Sequence, residues 1–186
     1  IVINNCCRKA LKIIVGSTYL KKVIKLNILN KQNMGFIYAK HPTPKIFLTK
    51  TRRSKYKLFK KDFFFYPANY WEHKNHKNLL LSFKKFNINN KYYLILTGNT
   101  FKNRYYMEIK NFIEKKNIKN VKVLGFVSKK KLINIYDESL GLIYPSFSGP
   151  ENIPPLEAFA RGKPVAISNY PGAKEQLKNK AFYFNP

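Results

Sequence analysis

Short apolar segments alternate with amphipathic helical segments from residue 63 to residue 184, and this alternation constrains the fold more than any other feature of the sequence. The apolar segments are rich in β-branched and aromatic residues, which is typical of strands. They lie at residues 63–66, 92–97, 121–124, 140–144, 164–168 and 181–184. Between them, residues 77–86, 104–116, 129–138, 155–161 and 173–178 carry apolar residues at helical spacing. Right-handed crossovers between such strands predict an α/β fold, a Rossmann-like doubly wound parallel sheet with helices on both faces.

The chain ahead of this pattern repeats it only once. A strand is predicted at residues 12–15, a helix capped by Ser17 follows, and a second strand is predicted at residues 34–39. Because 186 residues are too few for two complete α/β domains, we expect one domain and a remnant of another. The predicted division is a remnant at 1–46, a basic linker at 47–61 and a main domain at 62–186 that is truncated at its C-terminus.

Charge is the most unusual feature of the composition, with 36 Lys and Arg against 9 Asp and Glu, for a net charge of +27. A surface this basic attracts nucleic acid, anionic lipid or phosphate-bearing ligands. A nucleic-acid module concentrates its basic residues on one face with aromatic residues between them, whereas these lysines lie in loops and on every predicted helix. We therefore expect no nucleic-acid partner, and a basic nucleic-acid-binding module is kept as the alternative.

Compartment and metal content are predicted from simpler observations. No apolar run reaches the roughly 18 residues of a membrane-spanning helix. The only two cysteines, Cys6 and Cys7, are adjacent, which suits neither a disulfide framework nor a zinc site. A cytoplasmic protein is expected. The sequence contains no Asp-x-Asp motif, the usual carboxylate pair that holds a metal on a donor diphosphate, so no metal site is predicted.

The loop after the fourth predicted strand of the main domain carries the most unusual local sequence. Ligands of open parallel sheets bind beyond the carboxyl ends of the strands, where helix N-termini offer free N–H groups to phosphate. In this loop Gly149 allows close approach of a ligand, and Pro154 and Pro155 favour the start of a helix. Glu157 is predicted in the first turn of that helix, facing the cleft.

Three stretches in order and at matching spacing resemble retaining glycosyltransferases of family 4, which have the two-domain GT-B fold. They are residues 71–76 (WEHKNH), 124–127 (LGFV) and 154–165 (PPLEAFARGKPV), followed by Gly172. The resemblance covers about two thirds of the chain strongly. It implies that residues 62–186 are the nucleotide-sugar-binding half and that residues 1–46 are the end of the acceptor-side domain.

The resemblance also implies roles for individual residues. Glu157 would bind the ribose hydroxyls of the donor, since a carboxylate accepts from two neighbouring hydroxyls at once, and Lys74 would neutralise the diphosphate. These two are the predicted catalytic residues. Backbone groups near Phe126 and Val127 would flank the base. The remaining predicted substrate contacts are Asn69, Gly149, Pro150, Glu151, Asn152, Ile153, Pro154 and Leu156, with loop amides meeting the sugar and diphosphate.

Two positions depart from the family pattern. Asn69 stands where most members have an arginine, and Gly149 stands where they have the first glutamate of a pair eight residues apart. Both lost groups normally face the donor. Glu151 is a candidate replacement for the missing carboxylate, and an exposed loop position is the other interpretation. His73 and His76 are interpreted as loop or capping residues and His41 as solvated.

The predicted activity is transfer of a hexose from a nucleoside diphosphate sugar to a glycan or lipid-linked acceptor, with retention and without a metal or other cofactor. The expected partners are the donor and the acceptor, with peripheral contact at the inner membrane face left open. Because acceptor-activating groups would lie in the other domain, this chain alone is expected to be inactive. A non-catalytic relic of a transferase is the second alternative, suggested by Asn69 and Gly149.

Overall fold

Parallel strands and the helices that connect them form most of the computed structural model, which describes residues 9–27, 35–49, 57–149 and 151–186. The strands are β1 (Lys12–Val15), β2 (Gly35–Tyr38), β3 (Phe63–Pro67), β4 (Tyr93–Thr97), β5 (Val121–Val123), β6 (Gly141–Tyr144), β7 (Val165–Ser168) and β8 (Phe182–Phe184). The helices are α1 (Thr18–Asn27), α2 (Lys45–Leu48), α3 (His76–Phe86), α4 (Arg104–Lys115), α5 (Lys129–Glu138), α6 (Ile153–Ala160) and α7 (Pro171–Leu177). A 3-10 turn, Glu72–Lys74, precedes α3.

The last six of these strands form one sheet, in the order β5-β4-β3-β6-β7-β8, and every neighbouring pair is parallel. From β3 the chain moves outward through β4 to β5, and from β6 it moves outward the other way through β7 to β8. The direction of winding therefore reverses between β3 and β6. Such a reversal opens a crevice at the carboxyl ends of the two central strands, which is the usual ligand position in this kind of sheet.

Different helices cover the two faces of the six-stranded sheet. Phe64 packs against Phe86 of α3 with ring centroids 5.8 Å apart, and the next residue, Phe65, packs against Tyr136 of α5 at 5.0 Å. Because successive side chains of a strand point to opposite faces, α3 and α5 lie on opposite sides, and the predicted doubly wound sheet is confirmed. Each fully buried large side chain contributes about 1.5–3 kcal/mol. They include Phe65, Leu80, Leu94, Ile95, Ile135 and Leu142.

A smaller unit, formed by β1, α1 and β2, precedes the main sheet and has its own two-stranded parallel pairing. Ser17 Oγ accepts a hydrogen bond from Leu20 N at 3.1 Å, which confirms the predicted cap of α1. Lys21 Nζ lies 5.4 and 5.3 Å from the ring centroids of Phe36 and Tyr38 on β2. These cation–π contacts hold α1 against its strands.

The segment that follows the small unit packs on the main domain. Phe47 of α2 is buried, and its ring meets that of Tyr136 edge-on at 5.7 Å. Arg161 donates to the carbonyls of Phe47 at 3.3 Å and Thr49 at 2.7 Å. Its guanidinium also forms a two-point pair with Asp137, with N–O distances of 2.6 and 2.7 Å. The start of the predicted linker thus contributes one residue to the hydrophobic core.

The predicted elements agree with the observed ones to within two residues at each end. The largest shifts are at α6 and α7, which begin two residues earlier than predicted. In both helices prolines occupy the first turn, where their missing N–H groups cost no intrahelical hydrogen bond. The domain boundaries at 1–46, 47–61 and 62–186 stay predictions.

Candidate functional site

The loops that follow β3 and β6 meet where the winding of the sheet reverses. Phe147 N donates to His73 O at 2.8 Å, and Ser146 Oγ donates to the same carbonyl at 3.1 Å. Asn75, which has a left-handed backbone with φ of 56°, donates from its side-chain amide to Pro145 O at 3.1 Å. These three hydrogen bonds fix the two loops together and form the wall of the crevice.

Lys74 lies in this wall as a buried cation. Its side chain is 9% exposed, and its Nζ lies 3.1 Å from Tyr144 Oη and 3.3 Å from Asn152 Oδ1. The ammonium also lies 5.2 Å from the centroid of the Tyr144 ring. No carboxylate in the described ranges forms an ion pair with it. Burial lowers the pKa of Lys74, because its charge is desolvated and its partners here are neutral.

Glu157 is the matching buried anion. It is the fifth residue of α6, so the prediction that it lies in the first turn is wrong, because the helix begins at Ile153. The residue is 9% exposed, and Tyr136 Oη donates to its Oε2 at 2.8 Å. Burial raises the pKa of Glu157, and the hydrogen bond from Tyr136 offsets part of that effect. Its other oxygen, Oε1, accepts no hydrogen bond from the described residues.

Asn152 connects the elements around the site. Its Oδ1 accepts from Lys74 and from Tyr144 Oη, the latter at 2.9 Å, and its Nδ2 donates to Tyr170 Oη. Asn152 is the N-cap of α6, but its side chain makes no capping hydrogen bond because it points inward to these partners. Asn152 is predicted from sequence to contact the nucleotide-sugar donor, and in the structure its side-chain amide supports Lys74.

The backbone at the start of α6 has fewer free N–H groups than expected. The N–H of Asn152 donates to Gln176 Oε1 at 3.1 Å, so it is not free as predicted. Pro154 and Pro155 carry no N–H, which leaves Ile153 as the only residue of the first three in α6 that has one. Any anion at this helix end would therefore depend more on Lys74 than on backbone donors.

Gly149 and Asn152 fit each other sterically. A Cβ at position 149 would lie 2.6 Å from Asn152 Nδ2 and 3.1 Å from its Oδ1, closer than such contacts normally come. The room that a side chain at position 149 would need is thus filled by the Asn152 amide. Glu151 does not replace the missing carboxylate, because it turns to the small unit, with Oε2 3.8 Å from His41 Nε2.

The other predicted contacts lie at the same edge of the sheet in varied settings. Asn69 is exposed, and its Oδ1 accepts from Asn99 N at 3.1 Å. Phe126 is 88% exposed at the end of β5, whereas Val127 is half-buried against the core. Leu156 also packs against the core, and Pro154 O lies 3.3 Å from Tyr136 Oη. Pro150 lies outside the described residues. The donor-binding roles of all these positions stay predictions.

His76 differs from its interpretation as a loop or capping residue, whereas His73 agrees with it. His76 is the first residue of α3 and is 1% exposed, stacked on Tyr70 at 4.7 Å and tilted against Tyr66 at 5.0 Å. A core role was missed because a histidine beside a lysine at a helix start is typical of the surface. His73 is exposed and lies 5.5 Å from the Trp71 ring.

The described ranges contain no group of three His, Cys, Asp or Glu residues placed to hold a metal ion. Nor does any helix in those ranges have the length and apolarity needed to span a membrane.

Three tyrosines and one glutamine of the site were not found by sequence reasoning. Tyr144 ends β6, Tyr136 lies on α5, and Tyr170 and Gln176 lie just before and within α7. Their chain positions carried no motif. Tyr144 could have been identified from its position, because the last residue of a strand at the reversal point borders the ligand crevice.

The fold is thus an α/β domain with a doubly wound sheet, and a buried lysine and a buried glutamate lie on the elements that follow its two central strands, where ligands of such sheets usually bind. Residues 48–185 match the family described as glycosyl transferases group 1, and the chain belongs to it. Over 128 residues, or 68% of this chain, it is 32% identical to the O-antigen chain mannosyltransferase RfbU of Salmonella typhimurium. The chain spans 35% of that relative's length.

Solved structures show the same fold at lower identity. A sucrose-phosphate synthase from Thermosynechococcus elongatus superposes with a TM-score of 0.83 at 16% identity, over all of this chain and 48% of its own. A glycosyltransferase from Rickettsia africae gives 0.78 at 17% identity, over 98% of this chain and 52% of its own. Anabaena HepE, solved in complex with UDP-glucose, gives 0.76 at 17% identity, over 99% and 52%. These neighbours are GT-B glycosyltransferases, so the predicted fold class is confirmed.

Proposed function

We propose that the protein to which this chain belongs transfers a hexose from a nucleoside diphosphate sugar to a glycan or lipid-linked acceptor, with retention of configuration. The observation that carries the proposal is the buried ammonium of Lys74 at the reversal point of the sheet, which no carboxylate of the described residues pairs with. Keeping a desolvated cation without an acidic partner is costly, and a bound anion would remove that cost. A donor diphosphate fits, because the chain belongs to a glycosyltransferase family.

The neighbours of Lys74 keep its charge available to a ligand. Tyr144 and Asn152 accept from the ammonium through neutral oxygens, so they orient the side chain without cancelling its charge. In the transition state, negative charge develops on the leaving diphosphate. A fixed cation in a site shielded from water stabilises that charge more than a mobile surface lysine would.

Glu157 would bind a neutral, hydroxyl-rich part of the donor. Its Oε2 is held by Tyr136, while Oε1 is left to accept from ligand hydroxyls. Tyr144 Oη lies 3.1 Å from Lys74 Nζ, and burial together with the nearby Tyr170 and Glu157 raises the pKa of Tyr144. This supports a donor whose diphosphate meets the lysine and whose ribose meets the glutamate.

The remaining parts of the proposal concern the whole protein. Absence of the Asp-x-Asp motif supports neutralisation of the diphosphate by Lys74 rather than by a metal. The RfbU relative acts on the O-antigen chain by its name, which supports a polysaccharide or lipid-linked acceptor. The protein would then work in the cytoplasm, with peripheral contact at the inner membrane face.

Binding of a nucleoside diphosphate hexose to the 186-residue chain, measured by calorimetry, tests the donor site. Lys74→Gln and Glu157→Gln are each expected to weaken binding roughly 10- to 150-fold, because each removes charge-assisted hydrogen bonds of about 1.5–3 kcal/mol. Lys110→Gln and Glu114→Gln are matched controls, since both side chains are exposed on α4. Equal affinity in the Lys74 and control variants would exclude this site.

The basic nucleic-acid-binding alternative rests on the net charge of +27. It predicts binding to single-stranded DNA or RNA that is tighter than binding to the nucleotide sugar and falls steeply with salt. Competition between the two ligands at physiological salt separates the functions. The non-catalytic relic makes no prediction about donor binding; a full-length reading frame with an intact acceptor domain would argue against it.

A further inference from the structure

Two pairs of adjacent residues join the small β1-α1-β2 unit to the loop of the candidate site. Glu151 and Asn152 lie at the start of α6, and Glu175 and Gln176 lie on α7. In each pair the carboxylate turns to the small unit, and the Gln176 side chain of one pair meets the Asn152 backbone of the other. We name these four residues the clasp.

Glu175 caps α1 across 157 positions of sequence. Its Oε1 accepts from Thr18 N at 2.6 Å, and its Oε2 accepts from Thr18 Oγ1 at 2.7 Å and Tyr19 N at 3.0 Å. These N–H groups have no partner within the helix, and the positive end of the helix dipole favours a carboxylate there. One carboxylate therefore holds the small unit by three hydrogen bonds.

Glu151 reaches the same loop of the small unit from the other side. A Cβ at Gly16 would lie 1.6 Å from Glu151 Oε2 and 2.2 Å from its Cδ, so the carboxyl group rests directly on the glycine backbone. His41 adds a weak contact at 3.8 Å. The chain has only 9 acidic residues, and two of them meet at this one junction.

The backbone of Asn152 and the side-chain amide of Gln176 connect the two pairs. Asn152 N donates to Gln176 Oε1 at 3.1 Å, and Gln176 Nε2 donates to Asn152 O at 2.9 Å. Gln176 thereby satisfies the backbone of Asn152 on both sides, which leaves the Asn152 side chain free to hold Lys74. The position of the small unit is thus connected, through one helix and one loop, to the buried cation.

We propose that the clasp couples the position of the small unit to the order of the Asn152 loop, with Gln176 as the positioning residue. Loss of the Glu175 contact then loosens a loop that Glu175 does not itself touch. The consequence for donor affinity rests on the proposed function, whereas the coupling itself does not.

Amide hydrogen exchange of the 186-residue chain, followed by NMR without ligand, tests the coupling. In Glu175→Ala, the Thr18 and Tyr19 amides are expected to exchange roughly tenfold faster or more as their acceptor is lost, and the Asn152 amide is expected to follow. In Gln176→Ala the Asn152 amide is expected to show the largest increase in exchange rate. The Thr18 and Tyr19 amides should also exchange faster, because coupling is reciprocal. Lys174→Ala, on an exposed position of the same helix, is the control.

The outcomes separate the two proposals. If the α1 amides lose protection in Glu175→Ala while the Asn152 amide keeps its own, the coupling is refuted. Glu175→Gln, which keeps the shape and one acceptor, guards against loss of folding and is expected to give a smaller change at the same three amides. Calorimetry then compares donor affinity in these variants, where a drop of about threefold or more in Glu175→Ala is expected. Failure of the parent chain to bind donor contradicts the donor site and leaves the exchange result intact.

Discussion

His76 should make the fold sensitive to acid. The residue is 1% exposed, its ring lies between Tyr70 and Tyr66, and neither ring nitrogen has a hydrogen-bond partner in the described part of the chain. Burial, helped by the nearby Lys74 ammonium, lowers its pKa from the ordinary 6.5 to about 3. The folded state therefore accepts only the neutral ring, while the unfolded chain takes up a proton below its ordinary pKa. This contribution to stability is complete above pH 6.5 and is lost as the pH falls toward 3.

The size of the effect follows from the two pKa values. Linkage gives a loss of roughly 2 kcal/mol in the free energy of unfolding between about pH 7 and about pH 5. That is a large share of the 5–15 kcal/mol that a typical domain has. His76→Phe keeps an aromatic ring between the two tyrosines and removes two unsatisfied nitrogens, so we expect it to be as stable as the parent at neutral pH and more stable in acid.

Urea denaturation of both proteins at the two pH values measures the difference. The informative quantity is the loss on acidification in the parent minus the loss in His76→Phe, because every other titrating group is common to both. A difference near zero would mean that His76 is hydrated or hydrogen-bonded in solution and would refute the burial argument.

Three further predictions test the frame around the site. Gly98→Ala places a Cβ 2.2 Å from Ala68 O, a backbone atom that cannot turn away. We expect the free energy of unfolding to fall by about 1–3 kcal/mol or more, measured as a lower urea midpoint. Arg161→Lys keeps the charge but loses the two-point pair with Asp137, and an expected loss of about 1–3 kcal/mol should come with faster proteolysis near Thr49. Donor affinity should be greatest at intermediate pH, falling in acid as Glu157 is protonated and in alkali as Lys74 is neutralised, each nearer neutrality than for an exposed residue. The measurement is nucleotide-sugar affinity as a function of pH. In Glu157→Gln the fall in affinity at acid pH should disappear if Glu157 is the group that becomes protonated.

The order of strands and helices was predictable from sequence because it depends on local periodicity. Segments such as 63–66 and 121–124 differ from their neighbours in β-branched and aromatic content, and the predicted bounds needed little correction. Bounds moved most at the prolines of α6 and α7, because a proline in the first turn costs a helix nothing. The position of Glu157 within α6 was wrong for that reason.

The site was predicted in part, and the missing part has a physical cause. Lys74 and Glu157 stand in recognisable motifs, so the sequence marked both, and the structure places them on the turn after β3 and the helix after β6. Gln176 and Tyr136 support them through contacts that span 24 and 21 positions, which no local pattern records. Glu175 contacts Thr18 across 157 positions. From sequence alone, Glu175 is indistinguishable from an ordinary exposed residue of a helix.

Asn152 shows why a motif position and a structural role can differ. The sequence placed it on the loop that meets the donor, and an asparagine before a helix is the expected N-cap. In the structure its side chain makes no capping hydrogen bond. The side-chain amide instead accepts from Lys74, and this orientation fits because Gly149 has no side chain. A residue at position 149 larger than glycine would displace that amide, so the departure at Gly149 and the support of Lys74 by Asn152 are two parts of one arrangement.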